Sequence, residues 1–383
     1  MIRGKYTKKL IIISCIMICV GIIICFIGVC NGGATNISLD LKNGRVVKES
    51  KERYKEKVTL DAFNSIQINC NSNIEILKSD KYKLDFDVPK ESGEVNYSVK
   101  DNKLIISQSV KNKVNINFDF NFDQDNLNES YIKIYVPTDI KIKNMELESE
   151  EGNITIPPIE NENIIIKSDY GNVLIDYLNT KHSINIKMNN GKLDIRKAKA
   201  ENINIFNDYG NVKLSNVDCN DLSVILNNGQ YFADNINSKN YILKNEYGNN
   251  ELSNSISEKL KINVDNGTLK INEMDSGNTE IINDYGKILA EKLNTTSLIM
   301  KLGNGDVKIS GIFKGTSIIT SEYGNVLVDV LAPKEEYNYY IKNDYGKIII
   351  NNKQYENYAE RNEKSNNELK IHLDNGRGTL NFR

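Results

Sequence analysis

The side chains most able to do chemistry in this chain recur in one frame. Tyr170, Tyr209, Tyr247, Tyr285, Tyr323 and Tyr345 each stand immediately before a glycine. Aligned on one edge, their rings could stack against sugar rings or a protein partner, which makes them the candidate binding edge. They could also pack on one another and cover the turn backbone, and packing is expected for interior rings such as Tyr247. The slot before the glycine alternates, with Asn190, Asn228, Asn266 and Asn304 between the tyrosines.

One residue further back the chain carries mostly acids and amides: Asp169, Asn189, Asp208, Asn227, Glu246, Asp265, Asp284 and Glu322. Clustered carboxylates can do general acid/base work, as they do in β-helical polysaccharide lyases and hydrolases. Here the acids follow the repeat, as a turn requirement would make them do, because Asp and Asn hydrogen-bond their own backbone. A catalytic site should break the repeat, so no catalytic residue is expected. His182 and His372 are the only histidines and lie 190 residues apart, which argues against zinc or a histidine-dependent nucleophile. No glycine-rich nonapeptide of the calcium-binding kind occurs, so neither metal nor cofactor is expected. Four of the six cysteines fall between Cys15 and Cys30, leaving Cys70 and Cys219 as two lone buried thiols. Net charge is −2, without the basic footprint of a nucleic-acid binder.

The elements that must hold these residues are short strands. Glycines stand at 152, 171, 191, 210, 229, 248, 267, 286, 305 and 324, with eight intervals of 19 residues and one of 20. A period of that length marks stacked supersecondary units. Two and four places after each glycine the residues are mostly apolar, as in Val173 and Ile175 or Val212 and Leu214. Five and seven places before it the pattern recurs, as in Ile186 and Ile184 or Ile205 and Ile203. This period-two alternation predicts strands with one buried face, which puts Ile186 and Ile205 inside and Lys213 and Lys270 outside. A two-stranded unit cannot bury its apolar face alone, so an all-β fold is predicted, a β-solenoid (β-helix) of coils about 19 residues long. The tyrosine/asparagine alternation leaves a 38-residue coil open. Electrostatics favours 19, since a 38-residue coil would stack Asp169, Asp208, Glu246, Asp284 and Glu322 on one another.

The remaining chain divides around this body. Residues 1–9 form a basic flank with Arg3, Lys5, Lys8 and Lys9, and residues 10–30 are an uncharged apolar run. The run is long enough for a transmembrane helix, and the flank orients it as an uncleaved signal anchor with the N-terminus cytoplasmic. A cleaved signal peptide is the competing reading, weakened by bulky Val29 before Cys30. We expect this span to be the only anchor, since neither a wall-sorting signal nor a second apolar run precedes Arg383. Residues 31–60 read as a polar stalk, and 61–150 as irregular strands capping the solenoid, with 112–128 a strand or a loop. Residues 151–383 form the repeat. Its frame slips to 22 residues between Gly324 and Gly346 and to 30 between Gly346 and Gly376. The excess predicts a loop or short helix projecting from one coil at about 351–367.

The order of Phe63-Asn-Ser-Ile66, Ile74-Glu-Ile76, Asp101-Asn-Lys-Leu104, Tyr131-Ile-Lys-Ile-Tyr-Val-Pro137 and Glu151-Gly-Asn-Ile-Thr-Ile156 resembles the opening of a bacterial "putative adhesin" family of domains of unknown function. Steps such as Gly171-Asn172-Val173 and Gly305-Asp306-Val307 resemble its short-repeat solenoids, while the tyrosine-rich turns depart from its usual Ser-Gly or Asn-Gly. The resemblance covers about residues 63–383. It implies a cell-envelope location behind an N-terminal anchor, a non-enzymatic role, and in some members a link to envelope-stress signalling. Together these readings predict an extracytoplasmic scaffold for adhesion, scaffolding or envelope sensing, with the membrane and an envelope polysaccharide or protein as partners. A carbohydrate-active β-helix enzyme and an accessory ectodomain of a membrane signalling system are the alternatives.

Overall fold

The computed structural model describes residues 52–109 and 130–383 throughout, the strands Asn36–Asp40, Arg45–Lys48 and Asn115–Asp119, and scattered helical positions between 14 and 24. The expected span at 10–30 lies largely outside the described residues. Among those that are described, no helix is long and apolar enough to cross a membrane.

Alternating side chains make each of the first coils a short strand and a long one. Val173–Ile175 is followed by Leu178–Asn190, and Leu193–Ile195 by Ala198–Tyr209. In the next coils the two run on as one unbroken strand, as in Val212–Asn228 and Tyr231–Tyr247. The strands run parallel to their counterparts in the next coil, with Ile184 opposite Ile203, Ile203 opposite Leu222 and Leu222 opposite Tyr241. One coil is therefore 19 residues, and coils rise by about 4.8 Å. Five places before each glycine of the repeat an apolar side chain is buried, as at Ile166, Ile186, Ile205, Val224, Leu243 and Ile262. Lys213 and Lys270 face water.

Two bends hold the coil in register. Gly248 has φ +145, and a β-carbon on it would lie 1.8 Å from the carbonyl oxygen of Gly229 in the coil below. Both the left-handed backbone and the close approach demand glycine there. Six residues after the glycine a second bend also has positive φ, at Asn216, Asn235, Asn254, Glu273 and Lys292.

The coils come in two chemical types that alternate. Three places before the glycine, tyrosine-bearing coils bury a polar side chain: Ser168, Asn207, Asn245, Asn283, Ser321 and Asn343. Asparagine-bearing coils bury Met188, Leu226, Val264, Leu302 and Leu373 at the same place. The geometric period is thus 19 residues and the chemical period two coils.

The C-terminal end departs from the expected projecting loop or helix. Lys353–Tyr355 and Tyr358–Arg361 are strands lying antiparallel on Tyr337–Ile350 and covering its edge. The chain then returns as Asn367–Phe382, which slots between the coil of Thr316–Tyr323 and Val326–Val330 and the strand Tyr337–Ile350, parallel to both. The slipped frame records this skipped layer. At the N-terminal end Lys103–Gln108 and Tyr131–Pro137 pair parallel with Ser65–Cys70 and Asn73–Ser79. Antiparallel Val95–Lys100 and Lys83–Pro89 lie outside them. Arg53–Thr59 pairs with Lys83–Pro89, so the cap begins inside the segment read as stalk. Asn36–Asp40, also in that segment, lies between Arg45–Lys48 and Asn115–Asp119 in a separate antiparallel sheet. Cys70 and Cys219 are free and buried.

Candidate binding edge

The glycine bend brings the six tyrosines to one edge. Register places Tyr170 opposite Asn190, Asn190 opposite Tyr209, Tyr209 opposite Asn228 and Asn228 opposite Tyr247. Gly267, Gly286 and Gly305 stack in turn, which places Tyr285 in the same column. Asn304 then meets Tyr323, and Asn375 of the intercalated coil sits between Tyr323 and Tyr345. The sequence runs Tyr323, Tyr345, Asn375, yet the molecule restores the alternation that this order breaks.

All six rings are 54–75% exposed. Successive rings stand two coils apart, about 9.6 Å, beyond the range at which aromatic rings pair. None of the ring pairs found among the described residues joins two of them. The mutual packing expected of interior rings such as Tyr247 is therefore absent, because an asparagine layer separates each ring from the next.

The neighbouring positions show how the edge is built. Asn189 Nδ2 donates to Asp169 Oδ1 at 2.6 Å, and Asn227 Nδ2 donates to Asp208 Oδ1. Amides of one coil type thus separate carboxylates of the other, until Glu246, Asp265 and Asp284 follow on three successive coils. Beneath the edge, Asn245 Nδ2 donates to the Gly229 carbonyl at 3.0 Å and to Asn250 Oδ1 at 2.9 Å. Asn207 and Asn343 make the same bond to the carbonyls of Gly191 and Gly376. Each of these tyrosine-bearing coils thus clasps the bend of the asparagine-bearing coil it stacks on. After the glycine, Asn172 Oδ1 accepts the backbone N–H of Lys192 at 2.9 Å, and Asn211 Oδ1 that of Gln230 at 3.0 Å. The buried amides escaped the sequence reading because a polar residue near a turn reads as outward-facing. Their signal is present as Asn-Asp-Tyr-Gly and Asn-Glu-Tyr-Gly.

The histidines are not brought together. His182 Nδ1 lies 3.2 Å from Glu201 on the surface, and the His372 ring packs on Tyr340 on the intercalated coil. Among the described residues no group of three potential metal ligands forms. A groove of about 790 Å³ runs along another part of the surface, with Cys219, Ser238, Ser257, Ser276 and Thr295 among its lining residues. Burial, and then the carboxylates of Asp218 and Asp221, push the Cys219 thiol up to about 12.

The profile of the Toastrack DUF4097 family matches residues 63–182, 176–273 and 228–382, and the chain belongs to that family. Among solved structures it is similar to a "putative adhesin" from Parabacteroides distasonis ATCC 8503, at 13% identity over 71% of this chain and 97% of that one, TM-score 0.32. It is similar also to a "putative adhesin" from Parabacteroides merdae ATCC 43184, at 12% identity over 69% and 98%, TM-score 0.33. A "putative lipid binding protein" from Parabacteroides distasonis ATCC 8503 is 11% identical over 88% and 98%, TM-score 0.27. Comparison with curated proteins finds no match.

Proposed function

We propose that this chain is a non-enzymatic, extracytoplasmic adhesive or scaffolding rod of the cell envelope. Its tyrosine edge is the contact surface, and the apolar run at 10–30 is its membrane anchor. The observation that carries the reading is the row of six tyrosines, each more than half exposed. A rod standing in water has no packing reason to expose aromatic rings at regular intervals, whereas rings so placed offer large apolar faces at little entropic cost on binding. The acids beside them are tied into amide ladders on the first coils, which suits a structural role there better than acid/base catalysis. The same exposed edge would serve an accessory ectodomain of a signalling system, acting through the anchor.

A triple variant at Tyr209, Tyr247 and Tyr285, each to Ala, tests the reading. It should keep the parent melting temperature within a few degrees, because each of these residues is more than half exposed. Retention of the protein on cell-envelope preparations should fall at least tenfold. Unchanged retention would remove the edge from consideration, and a large loss of stability would return the rings to a packing role.

A further inference from the structure

The two-coil interval of the rings carries information about the shape of what they bind. This step rests on the reading of the tyrosine edge as a binding surface. Consecutive rings stand about 9.6 Å apart on a line that follows the stacking of the coils. A β-strand lying along that line presents the same face about every 6.8 Å and would lose register with the rings. An α-helix repeats each turn at about 5.4 Å and does no better. Two extended polymers fit. A polyproline II helix repeats a face about every 9.3 Å. A β-1,4-linked pyranose chain presents the same ring face every second sugar, and one sugar is about as long as one coil is thick.

Chemistry beside the rings separates the two. The residue before each tyrosine is a carboxylate at Asp169, Asp208, Glu246, Asp284, Glu322 and Asp344. Asp169 and Asp208 already accept from Asn189 and Asn227, and Asp344 pairs with Lys342, so the distinction rests chiefly on Glu246, Asp284 and Glu322. A carboxylate only accepts hydrogen bonds. A proline-rich backbone offers carbonyl acceptors and few N–H donors, so it meets this row acceptor to acceptor. Sugar hydroxyls donate as well as accept. Between the rings stand Asn190, Asn228, Asn266, Asn304 and Asn375, whose amides both donate and accept. An anionic polymer would be repelled where Glu246, Asp265 and Asp284 follow on three successive coils.

We propose that the edge binds an uncharged, β-1,4-linked polysaccharide laid along the rod, with every second sugar on a tyrosine and the intervening sugar beside an asparagine. The restored alternation at the C-terminal end extends the same spacing to Tyr345, so the ruled line runs without a gap from Tyr170.

Fully N-acetylated chito-oligosaccharides of increasing length, titrated into the detergent-solubilised full chain, test this. Affinity should climb in steps of two sugars, roughly two- to tenfold per step, as each added disaccharide reaches one more ring. Malto-oligosaccharides, which are α-linked and curve away from a straight line, should gain no such steps. Tyr247→Ala should remove the gain for oligomers long enough to cross it and leave the melting temperature unchanged. Equal gains for every single sugar, equal binding of the α-linked series, or tighter binding of a polyproline peptide would overturn the inference. If the triple tyrosine variant loses envelope retention while chito-oligosaccharides show no two-sugar steps, this inference fails and the edge reading stands. If the triple variant changes neither, both fail.

Discussion

Glu273 and Lys292 hold a left-handed backbone that the residues stacked before them hold as Asn216, Asn235 and Asn254. A β-carbon in that region costs about 1–2 kcal/mol, and asparagine offsets part of it through its short side chain. Glu273 and Lys292 form an ion pair across the two bends, but it is exposed and screened by water. Glu273→Asn should therefore raise stability by about 0.5–1 kcal/mol, read as a higher urea midpoint at unchanged slope. A lower midpoint would mean that the ion pair outweighs backbone strain. The two cysteines give a second prediction at this scale. Burial pushes the Cys70 thiol up to about 11 and, with Asp218 and Asp221, that of Cys219 to about 12. In the unfolded chain both ionise near pH ~8.5. Above that pH the unfolded state releases protons that the folded state keeps, so stability falls as pH rises and is fully present below it. The melting temperature should drop between about pH 8.5 and 10, and the drop should be shallower in Cys70→Ala/Cys219→Ala. Identical slopes would show that the thiols ionise without penalty in the fold.

At the scale of the coil, the buried asparagine clasp explains why two coil types exist. Asn245 reaches down to the Gly229 carbonyl and across to Asn250, which is itself buried. Asn245→Leu removes the donor and leaves Asn250 facing an apolar group, at a cost of roughly 1–3 kcal/mol. Adding Asn250→Leu should recover part of that loss, because replacing both partners removes the unpaired acceptor. Additive losses in the double variant would show that the amide bond matters less than packing. The clasp also marks where sequence reading stops. The aliphatic position at Ile186 and Ile205 and the glycine at 248 were legible because each coil repeats them for the same local reason. The left-handed bend at Asn216 was not, since it falls inside the strand Val212–Asn228 and the apolar alternation does not report it. The exposure of Tyr247 was not legible either, because a ring beside a turn can fold over it or stand clear. Only the asparagine layer between rings decides which, and that layer is contributed by other coils. The place of Asn367–Phe382 was hidden for a related reason, as periodicity specifies a coil while its neighbours are chosen at long range.

At the scale of the molecule, both ends close by the same device. The chain runs past one layer, lays antiparallel strands on the outside, and returns to fill the layer it skipped. Antiparallel strands cover edges that would otherwise template aggregation. At the C-terminal end the order follows from coil type. The coil of Thr316–Tyr323 and Val326–Val330 and the strand Tyr337–Ile350 are both tyrosine-bearing, with Ser321 and Asn343 at the buried polar position. Stacked directly they would place two polar side chains against each other and leave Asn343 without a glycine bend of the opposite type to clasp. The intercalated coil supplies Leu373 for the interior and the Gly376 carbonyl, which Asn343 Nδ2 reaches at 2.9 Å. Converting that coil to the other type, with Leu373→Asn and Asn375→Tyr together, should put three polar layers in succession. Each repeat contacts only its neighbours, so the damage should stay at this end. Amide hydrogen exchange should accelerate across 316–383 and remain slow across 159–304, and calorimetry should show a separate earlier transition. Asn375→Tyr alone adds a ring at an exposed position and should leave exchange nearly unchanged. If the double variant exchanges as slowly as the parent at 316–383, coil type does not determine layer order, and the intercalated coil must be held by its connections instead.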